Sequence, residues 1–258
     1  MPRVMPSLVR CLHPLPLVAL LLAALWVRPA AAQFELTWDQ CAGGFGARSD
    51  KQFACQDDMA QPFKLVVAVT PPTSLRKFVG YRVWIEISSS TQSLPDWWGL
   101  ASGGCREGAV TVDYRPGSIL GSCQNAWAGA QTAAAYSYFE QSTSPNRALF
   151  QIIAARTDAY SLASGTRYFG TLIQLSPAHS AGTDGGRCAG CSTEVCIAIS
   201  QVELDEEQTP GSDEPNAVLI TRSSQTNVAT FNSQNPNGNP CGATNKTSTW
   251  GRIKTTYR

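Results

Sequence analysis

Two adjacent tryptophans, Trp97 and Trp98, sit in the run Leu94-Pro95-Asp96-Trp97-Trp98-Gly99. An indole exposed in a loop is a flat amphipathic platform for a sugar ring or an apolar partner. Successive residues of a strand face opposite ways, so simple alternation does not bury two neighbours together. The pair is therefore either a ligand-binding platform or a plug folded back over the core beside Cys105. The many small Ser and Gly residues around it favour the plug; Trp97 and Trp98 are nonetheless the candidate ligand-binding residues.

Cysteines form the second constellation. Cys11 lies in the N-terminal leader described below; beyond it stand Cys41, Cys55, Cys105, Cys123, Cys188, Cys191, Cys196 and Cys241. An even count in an exported chain predicts a disulfide framework. Loop-closure entropy favours neighbours, which predicts Cys41–Cys55 and Cys105–Cys123. Cys241 then ties the tail to the cluster of Cys188, Cys191 and Cys196. Two alternatives draw on the same sulfurs. Cys188-Ala-Gly-Cys191 has redox C-x-x-C spacing, but it lies in a glycine-rich loop ahead of a strand and opens no helix. Cys188, Cys191, Cys196 and Cys241 have the number of thiolates that a structural zinc takes, although an oxidising compartment favours bridges. The expectation is structural disulfides, with no metal and no cofactor.

Carboxylates offer a third chemistry. Glycoside hydrolysis needs two carboxyl groups across a sugar, one of them with a raised pKa. Glu86 and Glu140 fall in strand-like runs that could project them from one face, yet half-exposed strands carry such residues anyway. Calcium needs six to eight converging oxygens. Asp57 with Asp58, and Asp205, Glu206, Glu207, Asp213 and Glu214, lack EF-hand spacing and read as solvated loop charges. His179, the one histidine outside the leader, lies in the loop Ser176-Pro177-Ala178-His179-Ser180. Ser180 and Asp184 are close to it in sequence, as triad members need not be. The chain carries no G-x-S-x-G elbow, zincin helix or P-loop, so no catalytic residues are assigned.

Composition bounds what these groups can serve. Of 258 residues, 15% are charged, with 20 Lys plus Arg against 19 Asp plus Glu, and there is no basic tract. Nucleic acid is excluded as a partner on that ground. Apolar residues make up 43%, enough to build a core. The N-terminus reads as a secretory signal peptide over 1–32: Arg3 and Arg10, an uncharged run at 15–27, then Ala30-Ala31-Ala32. That run is too short to span a bilayer, and no other long apolar run follows. The reading is a product that is secreted, periplasmic or held at the cell surface, with no membrane span after cleavage.

The elements that must position these groups are strands. Residues 34–38, 63–69, 81–87, 110–114, 136–140, 148–157, 167–175, 195–204, 217–221 and 227–231 read as strands, with turn signals between them. In the clearest, Tyr81, Val83, Ile85 and Ile87 share one face while Arg82, Trp84 and Glu86 share the other. One strand slips phase: Tyr168, Gly170 and Leu172 are followed by Leu175, which suggests a bulge or burial on both faces. Val195, Ile197 and Ile199 face one way, with Val202 and Leu204 following. Residues 126–135 are alanine-rich and suit a short helix, weakened by Gly129. Trp250, Ile253 and Tyr257 have helical spacing after a capping Ser248.

The predicted fold is all-β: a two-sheet antiparallel β-sandwich, Ig-like or jelly-roll-like, with a short C-terminal helix. Residues 33–258 form one disulfide-stabilised domain. The closing T-W-G-x-I-K-x-x-Y-R and the C-x-G-C-x-x-x-V-C-I strand entry resemble segments of uncharacterised exported bacterial proteins. That resemblance implies a bacterial exported origin and carries over no functional residue. The expected function is non-enzymatic binding of an extracellular glycan or surface protein, or surface assembly through a sheet edge. The alternative is a secreted glycan-active hydrolase using strand carboxylates.

Overall fold

A computed structural model describes residues 33–182, 186–208, 217–221 and 227–233. The expected signal peptide, Asp184, Asp213, Glu214, Cys241 and the expected C-terminal helix lie outside the described residues.

In chain order the strands are β1 (Gln33–Trp38), β2 (Asp50–Lys51), β3 (Phe63–Thr70), β4 (Leu75–Ser89), β5 (Val110–Asp113) and β6 (Gln124–Asn125). They continue with β7 (Thr132–Glu140), β8 (Arg147–Leu162), β9 (Tyr168–Leu175), β10 (Val195–Glu206), β11 (Ala217–Thr221) and β12 (Val228–Phe231). One sheet runs β1-β3-β9-β5, with β6 beside β9. The other runs β2-β12-β10-β4-β8-β7, with β11 beside β10. The protein is therefore a β-sandwich, as its strand patterning predicts. The pairing is antiparallel except for two two-residue pairs, β2 with β12 and β6 with β9, which are parallel.

Alternation explains the core. On β1, Phe34, Leu36 and Trp38 point inward; on β4, Tyr81, Val83, Ile85 and Ile87 do. β9 is buried on both faces and also carries a bulge, so both readings of its phase slip hold. Gly170 is the extra residue. An added Cβ there would lie 3.2 Å from the Val67 carbonyl and 3.4 Å from the phenol end of Tyr81. Glycine is the residue that permits this close approach. Its carbonyl accepts the indole N–H of Trp127 at 2.7 Å.

The two sheets differ on their outer sides. Val66, Ala68 and Phe169, on the outer side of the five-stranded sheet, are fully buried. The outer side of the seven-stranded sheet carries half-buried and exposed side chains along β4, β7, β8 and β10. Among the described residues it is the more open of the two outer sheet faces, although Leu149 and Ala198 on it are buried.

Three expectations about elements need correction. No helix forms over 126–135: Ala126 and Trp127 lie in a turn, Gly129 takes φ +75°, and Thr132 to Ala135 begin β7. Pairing with β8 along all of β7 outweighs the modest helix preference of alanine. Asp205 and Glu206 are not loop charges but the end of β10, paired with β4. The disulfides join distant segments: Cys41–Cys123, Cys55–Cys191 and Cys105–Cys188, with sequence separations of 82, 136 and 83. Neither Cys41–Cys55 nor Cys105–Cys123 forms. Cys196 is disulfide-bonded as well. The entropic preference for short loops grows only logarithmically, so about 1–2 kcal/mol separates these spans from the local pairings. Sheet topology decides which cysteines meet. The bridges fit a non-cytoplasmic protein, and no helix among the described residues is long and apolar enough to cross a membrane.

Candidate binding face

Each sequence-predicted site residue among the described residues has a definite place. Trp97 and Trp98 are both fully buried, so neither is a ligand platform. They occupy a 3-10 turn, Asp96–Trp98, in which neighbouring side chains diverge by a third of a turn, so both can point inward. Trp97 stacks on Phe231 with ring centres 4.9 Å apart and donates its N–H to the Ser180 hydroxyl at 2.9 Å. The buried guanidinium of Arg106 lies 3.6 Å from its ring centre. Arg106 also donates to the carbonyls of Trp97, Ala178 and Ser176, which binds three loop segments together. Trp98 packs edge-on against Phe231, and its carbonyl accepts the Tyr138 hydroxyl at 2.5 Å. This is the plug, latched beside the Cys105–Cys188 bridge.

The catalytic and metal alternatives come apart. Glu86 pairs across to Leu149 and thence to Phe139, whereas Glu140 pairs to Ala148 and thence to Ile87. Consecutive residues face opposite ways, so Glu86 and Glu140 lie on opposite faces of the sheet and cannot flank one sugar. Glu86 is instead ion-paired with Arg147 at 2.5 Å. Ser180 is buried, with its hydroxyl donated to the Pro177 carbonyl, so it is no partner for the half-buried His179. Cys188 and Cys191 belong to different bridges, so their C-x-x-C spacing is not a redox pair, and disulfide sulfurs are not zinc thiolates. Asp58 is buried, and its carboxylate accepts the Ala181 N–H at 2.5 Å; only Asp57 of that pair is exposed. Among the described residues no three His, Cys, Asp or Glu side chains converge as a metal site. Between the sheets lies an apolar cavity of about 10 Å³ walled by residues such as Ile85, Trp98 and Phe150, too small for any ligand.

The outer side of the seven-stranded sheet assembles a different constellation. Cross-strand register places Ser137, Gln151, Trp84, Gln201 and Thr221 in one row over β7, β8, β4, β10 and β11. At the usual strand spacing this row runs about 19 Å. The row on one side holds Ala135, Ile153, Arg82, Glu203 and Leu219; that on the other holds Phe139, Leu149, Glu86 and Ala198. Trp84 stands at the centre, half-buried and outside the packed core. Its indole N–H donates to no group among the described residues.

A bulge makes this arrangement. Ile199 pairs with Ile85 and Gln201 with Trp84, leaving Ser200 as the extra residue. The inserted residue reverses the phase of β10. Gln201 and Glu203 therefore emerge outward beside Trp84, while Val202 and Leu204 return to the core. Arg82 reaches Asp205 at 3.3 Å and Glu203 at 3.7 Å. Partial burial raises the Asp205 carboxyl above the ordinary carboxylate value; Arg82 pulls it back, and Glu203 pushes it further up.

Chemically, the face offers an indole ringed by two amides, hydroxyls, a guanidinium and carboxylates. That set suits a ligand with an apolar ring face and many hydroxyls. The sequence already turned Arg82, Trp84 and Glu86 away from the core, whereas the bulge at Ser200 emerged only from the pairing of β10 with β4. The partners from β8 and β11 required the register. In comparison with known proteins, the chain matches no protein-family model and no curated sequence.

Proposed function

We propose that this protein is an exported, non-catalytic binding protein that takes carbohydrate on the outer face of its seven-stranded sheet. The observation that carries this reading is Trp84 at the centre of the open sheet, with Gln151 and Gln201 on its two flanks. A sugar ring laid on the indole buries its C–H face, while the amides and Arg82 take hydroxyls at the rim. The signal-peptide pattern over 1–32 and the disulfides support a location outside the cytosol, secreted or at the cell surface.

The carboxylates are here for hydrogen bonding. The hydrolase alternative loses its support, because Glu86 and Glu140 lie on opposite faces. The test is retention on a panel of immobilised polysaccharides, comparing the wild-type protein with Trp84→Ala. Loss of retention by the variant with its fold intact is expected. Equal retention of the two, or no retention of wild type on any glycan, overturns the assignment.

A further inference from the structure

β7 ends the seven-stranded sheet, and nothing among the described residues hydrogen-bonds to its outer backbone. It is nine residues long and pairs with β8 without a bulge. Its sequence, Thr-Ala-Ala-Ala-Tyr-Ser-Tyr-Phe-Glu, contains no Pro, Lys or Arg. Natural sheets guard a long free edge with such features because an unguarded edge pairs with another strand. The other end of this sheet is closed by β2, with only two residues.

The edge is also held rigid. Tyr136 donates its hydroxyl to the Val110 carbonyl at 3.0 Å, and Tyr138 donates to the Trp98 carbonyl. Both tyrosine rings contact Phe150. The strand is thus anchored to the opposite sheet and the plug by its inner side chains, while Ala133, Ala135, Ser137 and Phe139 project outward and are exposed. Little ordering remains to be done when a partner strand arrives.

From this we infer that β7 pairs antiparallel with β7 of a second copy, about a two-fold axis at Tyr136. The order of side chains identifies the occupant. Small residues fill the first half of the strand and aromatic residues the second. Antiparallel pairing about Tyr136 sets Ala133 opposite the partner's Phe139 and Ala134 opposite the partner's Tyr138, so each large side chain meets a small one. It also sets Glu140 opposite the partner's Thr132 and keeps the two carboxylates a strand length apart, roughly 27 Å. Parallel pairing in register would oppose the two carboxylates directly. The joined sheets form one continuous surface. If the carbohydrate reading holds, two Trp84 sites lie on it, five strand spacings or about 24 Å apart, and a polymeric ligand that spans both gains avidity.

The test is analytical ultracentrifugation of the exported protein without any glycan, so its outcome is independent of what Trp84 binds. Wild type is expected to show a concentration-dependent dimer. Ala133→Lys with Phe139→Lys places like charges across the axis and should weaken the dimer at least about tenfold. Ala133→Lys with Phe139→Glu places opposite charges there and should keep it. Both positions are exposed, with Phe139 at 53%, so the fold is spared. A monomeric wild type, or the two double variants behaving alike, overturns the proposal.

Discussion

Ser200, the extra residue of the β10 bulge, donates its hydroxyl to the backbone carbonyl of Trp84 at 3.1 Å. This bond pins the bulge to the one aromatic residue at the centre of the open sheet. The phase of β10 on either side of Ser200 decides which side chains ring the indole. Were Ser200 instead paired with Trp84 in an unbulged ladder, Gln201 and Glu203 would turn to the core side and Val202 and Leu204 outward.

Trp84 and Trp97 should therefore respond oppositely to truncation. Trp84 lies outside the packed core, so Trp84→Ala should shift stability by less than about 1 kcal/mol while abolishing glycan retention. Trp97 is fully buried among Phe231, Phe63 and Arg106, so Trp97→Ala should destabilise by about 3–5 kcal/mol. Urea unfolding curves of both variants, read beside retention assays, check this. A large stability loss in Trp84→Ala would reassign that residue to the core.

Non-reducing peptide mapping should recover Cys41 with Cys123, Cys55 with Cys191 and Cys105 with Cys188. In the chain-entropy picture each bridge of such span contributes about 4–5 kcal/mol. Reduction should accordingly lower the melting temperature sharply. Recovery of Cys41 with Cys55 would contradict the loop arrangement at that end of the sandwich.

The hydroxyls of Tyr81 and Thr171 face one another deep in the core, outside good hydrogen-bonding geometry. Replacing both by apolar isosteres, Tyr81→Phe with Thr171→Val, should leave stability unchanged or raise it by about 1 kcal/mol, because no satisfied bond is lost. Thermal melts decide this. A loss of more than about 2 kcal/mol would mean that the pair makes a strong bond.

Burial also holds the Tyr81 and Tyr138 hydroxyls far above the ordinary tyrosine pKa, with Glu140 adding to the shift at Tyr138. In the unfolded chain both ionise near pH 10. Above that pH the unfolded state loses protons that the folded state keeps, so stability is full below about pH 10 and falls as pH rises beyond it. Melting temperature measured from pH 8 to 12, together with tyrosinate absorbance, should show the decline and two tyrosines that ionise only on unfolding. Tyr81→Phe should flatten the slope.

Local patterning carried the fold. Alternation in β1 and β4 was enough to name the inward residues, because a half-buried strand has a period of two whatever its partners are. The phase slip at Gly170 was equally visible, since an inserted residue leaves its mark in the chain, whereas the bulge at Ser200 emerged only from the pairing with β4. The outward position of Trp84 came with the same alternation, although its importance did not. What the sequence could not decide was everything that depends on which loops meet. The disulfide partners followed topology because loop-closure entropy varies too slowly with length to choose among them. The Trp97 and Trp98 pair turned inward because a 3-10 turn, and not a strand, carries it. The face around Trp84 and the free edge at β7 are properties of register and strand order. Those are set when the two sheets pack together and bury their apolar faces, a long-range event that no stretch of sequence records by itself.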